Sequence, residues 1–150
     1  ENIVFNETKI TSRYCLERDE NMKRILIVDD VPGWVRFHKG CIEHLPIPNV
    51  QIDCAYCAKE ALAKLETSID NPYDVIFTDM QMEPDFLPKF AGEWLIEQIQ
   101  NFGDYYKNTQ IVIVSAAPNI KAIAERYGVL YLPKTVARNS DAEVYREFVE

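Results

Sequence analysis

The apolar residues of this chain come in short runs separated by segments of helical spacing, and the regular part of the pattern begins at Lys23. Its centre is Tyr73 to Met80 (YDVIFTDM), a strand-favouring run with Asn71-Pro72 before it and a single acid, Asp79, near its end. A run of this kind reads as a buried strand of a parallel sheet. Asp79 then stands at the carboxyl end, the edge at which open α/β sheets bind ligands. Arg24 to Val28 is a similar run that ends in Asp29-Asp30, after which Pro32 opens a helix where its missing N–H costs nothing. In that helix Trp34, His38, Cys41, Ile42 and Leu45 share one stripe, which predicts a buried face. Val50 to Tyr56 and Ile111 to Ser115 predict further strands, and Val129 to Leu132 a short fifth one. Helices are predicted over Ala58 to Leu65, from about Gly92 to Asn101, over Asn119 to Tyr127 with Gly128 as its stop, and over Asp141 to Val149.

Strands alternating with helices of this length predict βαβ units, right-handed crossovers and a parallel sheet covered on both faces. Residues 1 to 22 show no sustained period beyond a short strand at Ile3 to Phe5, and read as an extension or linker before a domain at 23 to 150. The chain does not begin with Met, so either it is cut from a longer protein or Met22 marks the start of the compact domain. At 150 residues there is material for one domain with a real core. A net charge of −8 argues against a nucleic-acid partner, which would require a basic face. No apolar run is long enough to span a bilayer and no leader-like segment opens the chain, which predicts a cytoplasmic protein with no membrane partner. Four scattered cysteines predict reduced thiols, and without a secretion signal the sequon Asn6-Glu7-Thr8 carries little weight.

Four of the five predicted strands end in a polar group at one edge of the sheet: Asp29 and Asp30, Asp79, Ser115, and Lys134 just past the fifth. Three carboxylates converging there would repel one another and raise their pKa values unless a cation sat among them. A hard divalent ion with oxygen ligands, Mg2+ above all, suits such a set. A lysine and a hydroxyl facing the same point supply donors for an anion. Together they describe a phosphoryl-transfer site, where positioning and charge neutralisation supply most of the catalysis.

ILIVDD at 25 to 30, VIFTDMQM at 75 to 82, IVIVSAA at 111 to 117 and YLPK at 131 to 134 together resemble the response-regulator receiver domain of two-component signalling, over about residues 23 to 150. The resemblance implies an α/β fold of flavodoxin-like topology, a doubly wound five-stranded parallel sheet in the order 2-1-3-4-5. It implies that Asp79 accepts a phosphoryl group from a histidine kinase or histidine phosphotransfer protein. Asp30, Asp79 and the backbone carbonyl of Gln81 would bind Mg2+, with Asp29 acting mainly through water. Ser115 and Lys134 would hold the phosphoryl oxygens, and Tyr131 would be an aromatic switch that turns inward as Ser115 moves. Gln81 and Ala117 fall where the family tunes phosphoryl lifetime. The implied output is a population shift in the face formed by the fourth helix, fifth strand and fifth helix, read by an output domain or a homodimer partner. Such a domain catalyses its own phosphorylation and turns over no metabolite. Two features differ from the family pattern: Pro133 precedes Lys134 instead of following it, and the loop from Gln81 to Ala91 is several residues longer. Pro84, Phe86, Leu87, Pro88 and Phe90 in that loop could cover the site or dock a partner.

The alternative reading is a pseudo-receiver that keeps the fold and binds a partner through the long loop without phosphorylation. Cys54-Ala-Tyr-Cys57 ahead of a helix has the spacing of a redox pair, and Cys41, His44, Cys54 and Cys57 have the ligand types of a zinc site. His38, on the apolar stripe of its helix, reads as a satisfied core histidine.

Overall fold

The computed structural model describes residues 22–82 and 89–150, so the expected strand at Ile3 to Phe5 and loop residues Pro84, Phe86, Leu87 and Pro88 lie outside the described residues. Strands β1 (Lys23–Val28), β2 (Val50–Ala55), β3 (Val75–Thr78), β4 (Gln110–Ser115) and β5 (Leu130–Pro133) form one sheet in the order β2-β1-β3-β4-β5, every pairing parallel. Helices α1 (Pro32–His44), α2 (Ala58–Thr67), α3 (Ala91–Asn101) and α4 (Ile120–Tyr127) connect them. This is the parallel sheet that the alternating pattern predicts, in the doubly wound, flavodoxin-like order that the resemblance implies.

Successive strand residues point to opposite faces, and the core divides accordingly. Leu26, Val28, Ile76, Ile111 and Ile113 pack beneath α2, α3 and α4. Ile25, Ile27, Phe77, Val112 and Val114 pack beneath α1 and the C-terminal segment. Gly128 takes φ 67°, the left-handed conformation that ends α4 by returning its N–H to Ala124 and Glu125 carbonyls. Gly40, exposed within α1, has nothing within 4 Å of where a Cβ would stand. Gly40→Ala is therefore expected to stabilise the fold by about 0.5–1 kcal/mol, because alanine lowers the entropy of the unfolded chain at no steric cost; an unchanged or lower melting temperature would contradict this.

Two expectations are corrected. The single closing helix expected at Asp141 to Val149 is instead a 3-10 turn (Ala142–Tyr145) followed by helix α6 (Arg146–Val149), and a further short helix, α5 (Lys134–Asn139), precedes them. The break is at Ser140, which is extended at φ −106° and ψ 166°, after which the Asp141 side chain caps the new turn by accepting from Glu143 N–H. In α1 the buried face is Val35, His38 and Ile42, with Leu45 just beyond, so the stripe is rotated toward Val35 and leaves Trp34 and Cys41 only partly buried. No helix among the described residues is long and apolar enough to cross a membrane.

Candidate functional site

The site begins where the β1 and β3 ladders run one residue past their strands. Val28 pairs with Thr78, Asp79 N–H donates to Val28 O at 2.8 Å, and Asp29 N–H donates to Ala55 O at 3.1 Å. The two acids are thus fixed side by side at the carboxyl edge. Each carboxylate is then oriented by its own loop: Asp29 Oδ1 accepts from Val31 N–H at 2.9 Å and Asp79 Oδ1 from Met80 N–H at 2.8 Å. Thr78 Oγ1 donates to the Asp79 carbonyl at 2.9 Å, which ties down the backbone beneath the acceptor.

Lys134 arrives from the far side as the first residue of α5, directly after Pro133. Its Nζ lies 3.0 Å from Asp29 Oδ2 and 3.3 Å from Asp79 Oδ2, and all three side chains are buried. Burial first, and the charge of Asp29 second, push Asp79 up to about 6, against the opposing pull of Lys134. Asp29 is also raised, chiefly by burial and to a smaller extent by Asp30, while its bond from Val31 and the ammonium of Lys134 act the other way.

Carboxylate oxygens of Asp29, Asp30 and Asp79 come within 4.8 Å of one another, and Asp30 remains half-buried and open to water. Asp29 Oδ2 is buried and makes no hydrogen bond of good geometry, only the ion pair with Lys134. Lys134 faces Asp29 and Asp79 with a single ammonium, and the donors offered by the three aspartates are all oxygen. The set therefore fits a hard divalent cation such as Mg2+.

The other expected site residues are nearby in the fold. Ser115 is buried at the end of β4, and its Oγ accepts from Ala117 N–H at 3.1 Å. Tyr131 is half-buried on β5 against the face covered by α2, α3 and α4. Gln81 is exposed in a bend two residues after Asp79. Two further residues stand at the site, one read from the sequence as core and one as the start of a helix. Trp34, read as core, presents its ring 4.9 Å from Lys134 Nζ. Gly92, in the first turn of α3, donates its N–H to Met80 O at 2.9 Å, so this helix is seated on the backbone next to the acceptor.

The cysteine readings gain no support from the structure. Cys41, Cys54 and Cys57 are free thiols, and Cys57 Sγ serves as the α2 cap, accepting from Glu60 N–H at 3.4 Å. Burial raises the pKa of Cys54, the reverse of what a reactive thiolate needs. Among the described residues, the metal-ligand types that converge in threes are the aspartates; no such group includes Cys41, His44, Cys54 or Cys57. His38 is a core histidine, though satisfied at one nitrogen only: it is buried, its Nδ1 lies 2.5 Å from Tyr145 Oη, its Nε2 has no hydrogen-bond partner among the described residues, and burial lowers its pKa to about 4 with Lys134 adding to the shift.

No family model matches the sequence, and no curated protein matches it. Solved structures do. Response regulator protein TrrA from Thermotoga maritima, in complex with Mg2+-BeF, aligns over 84% of this chain and 96% of its own at 24% identity, with a TM-score of 0.61. The phosphorylated cyanobacterial phytochrome response regulator RcpA aligns over 85% and 94% at 18% identity, TM-score 0.66. The Mn2+-bound response regulator Rcp1 aligns over 85% and 95% at 18% identity, TM-score 0.67. The chain has the fold of the response-regulator receiver domains.

Proposed function

We propose that this chain is a phosphoacceptor receiver domain, taking a phosphoryl group on Asp79 from a phosphohistidine of a histidine kinase or phosphotransfer protein in the cytoplasm. The observation that carries this reading is the ammonium of Lys134 shared by Asp29 Oδ2 and Asp79 Oδ2 at one edge of the sheet. The Mg2+-BeF complex of TrrA, the phosphorylated RcpA and the Mn2+-bound Rcp1 support it from the side of the fold.

Asp79, at a pKa of about 6, is mostly ionised at neutral pH and can act as nucleophile. A carboxylate oxygen attacks phosphorus as the bond to the donor nitrogen breaks, and the departing imidazole keeps that electron pair. Mg2+ on Asp30, Asp79 and the Gln81 carbonyl, with Asp29 acting through water, would neutralise charge on the phosphoryl oxygens. Lys134, 3.3 Å from Asp79 Oδ2, needs only a small shift to pair with the new phosphoryl group, and the Ser115 hydroxyl supplies a second donor. Movement of Ser115 toward the phosphoryl group would free space for Tyr131 and bias the face made by α4, β5 and α5.

Incubation with acetyl phosphate and Mg2+ is expected to add one phosphoryl group to the intact mass. The gain should be absent from Asp79→Asn and from samples with EDTA. An unmodified mass under conditions that also leave beryllofluoride unbound would overturn the reading in favour of a phosphorylation-independent pseudo-receiver.

A further inference from the structure

We infer that Trp34 is a positioning residue for Lys134, its ring face holding the ammonium over the acceptor; this rests on the phosphoacceptor reading above. Lys134 begins α5, and the N-terminus of a helix disfavours a positive charge. Its ammonium is nevertheless buried, and three contacts hold it: Asp29 Oδ2 at 3.0 Å, Asp79 Oδ2 at 3.3 Å and the Trp34 ring at 4.9 Å. The first two involve groups whose charge environment changes when a cation or a phosphoryl group enters. The Trp34 face is uncharged and does not titrate, so it is the contact that persists through the transfer.

The ring is itself braced. Trp34 stacks on His38 with centroids 5.3 Å apart and planes at 25°, and Phe37 meets it edge-on at 5.4 Å. His38 pairs through Nδ1 with Tyr145 Oη, and Tyr145, fully buried, packs at 5.8 Å on Phe77 of β3, two residues before Asp79. Arg138, one helical turn beyond Lys134, lies over the same ring at 5.2 Å. The ring thus meets two cations of α5, Lys134 and Arg138. No proline follows Lys134 here, so its aim depends on the helix behind it and the ring beside it.

The test is beryllofluoride binding to the full chain in Mg2+, measured by calorimetry, for the parent, Trp34→Phe, Trp34→Leu, Lys134→Ala and the Trp34→Leu/Lys134→Ala double variant. Trp34→Phe, which keeps a π face, should bind within about threefold of the parent, and Trp34→Leu should bind about tenfold more weakly. That penalty should vanish in the Lys134→Ala background. An unchanged affinity in Trp34→Leu, or a penalty that persists without Lys134, overturns the inference and leaves the receiver reading standing. A parent that binds no beryllofluoride sinks both. A measurement independent of Trp34 variants is the side-chain ammonium resonance of Lys134, assigned by its loss in Lys134→Ala: it should carry an upfield ring-current shift, and an unshifted resonance overturns the inference.

Discussion

Asp79→Asn is expected to melt roughly 10 °C above the parent at pH 7 in EDTA and to lose that advantage on acidification. The acid's pKa in the fold is about 6, raised from 3.8 by burial first and by Asp29 second. An acid with a raised pKa holds its proton in the fold at pH values where the unfolded chain has already released it. Its cost to stability is therefore absent below about pH 3.8, grows through the window up to 6, and is fully present above it. A shift of about two units corresponds to on the order of 3 kcal/mol, a ceiling because the asparagine amide must also be desolvated. His38 slopes the other way. With its pKa lowered from 6.5 to about 4, the unfolded chain takes up a proton in that window and the fold does not, so stability is lost as pH falls. The parent thus sets the slopes of Asp79 and Asp29, both raised, against that of His38; Asp79→Asn keeps those of Asp29 and His38 and should lose more stability than the parent between pH 6.5 and 4. Added Mg2+ should stabilise the parent more than the variant, since it relieves the repulsion the substitution has already removed. Equal melting temperatures at pH 7 in EDTA would show that the carboxylate is not destabilised by its surroundings.

The residues that assemble this site were legible where a physical signal is local and strong. Apolar runs bounded by polar residues mark β1, β3, β4 and the short β5, and parallel packing places the ends of those strands at one edge, which brings Asp29, Asp79 and Lys134 together. Gly128 announced the end of α4 because left-handed backbone favours glycine. The C-terminal region was harder. Lys134 to Asn139 is too short to display a helical stripe, and what it buries is Lys134 and Ala137, one charged and one small. Trp34 was drawn into the α1 core because an aromatic at helical spacing ordinarily belongs there. Its ring instead serves the rim of a charged site, and Val35 takes its place in the core. Periodicity reports which residues are apolar, and not whether an aromatic face meets leucine or an ammonium.

Gly92→Ala tests the seating of α3 on the acceptor, and its clash is expected to be the severest of any glycine-to-alanine change in this chain. A Cβ at Gly92 would stand 2.2 Å from Asp79 O, 2.6 Å from Met80 Cα and 3.0 Å from Met80 O. All three are backbone atoms, and none can rotate away. The positive-φ glycines are Gly103 and Gly128, so the requirement at Gly92 is for space and not for an unusual backbone conformation. The obstructed carbonyl of Asp79 also accepts from Thr78 Oγ1, and Met80 O accepts from Gly92 N–H, so relief requires separating α3 from the end of β3 and breaking that bond. We expect a loss of about 3 kcal/mol or more by chemical denaturation, at the upper end of overpacking effects because the clash is with main chain. Phosphoryl uptake from acetyl phosphate should fall roughly a hundredfold in whatever fraction remains folded, since an ångström of displacement at the nucleophile costs about that much. The two losses separate the roles of the contact. A variant that is destabilised yet phosphorylated at the parental rate would mean that α3 moves while Asp79 stays, held by Val28, Met80 and Lys134. A variant as stable as the parent would mean that the helix does not approach the acceptor this closely.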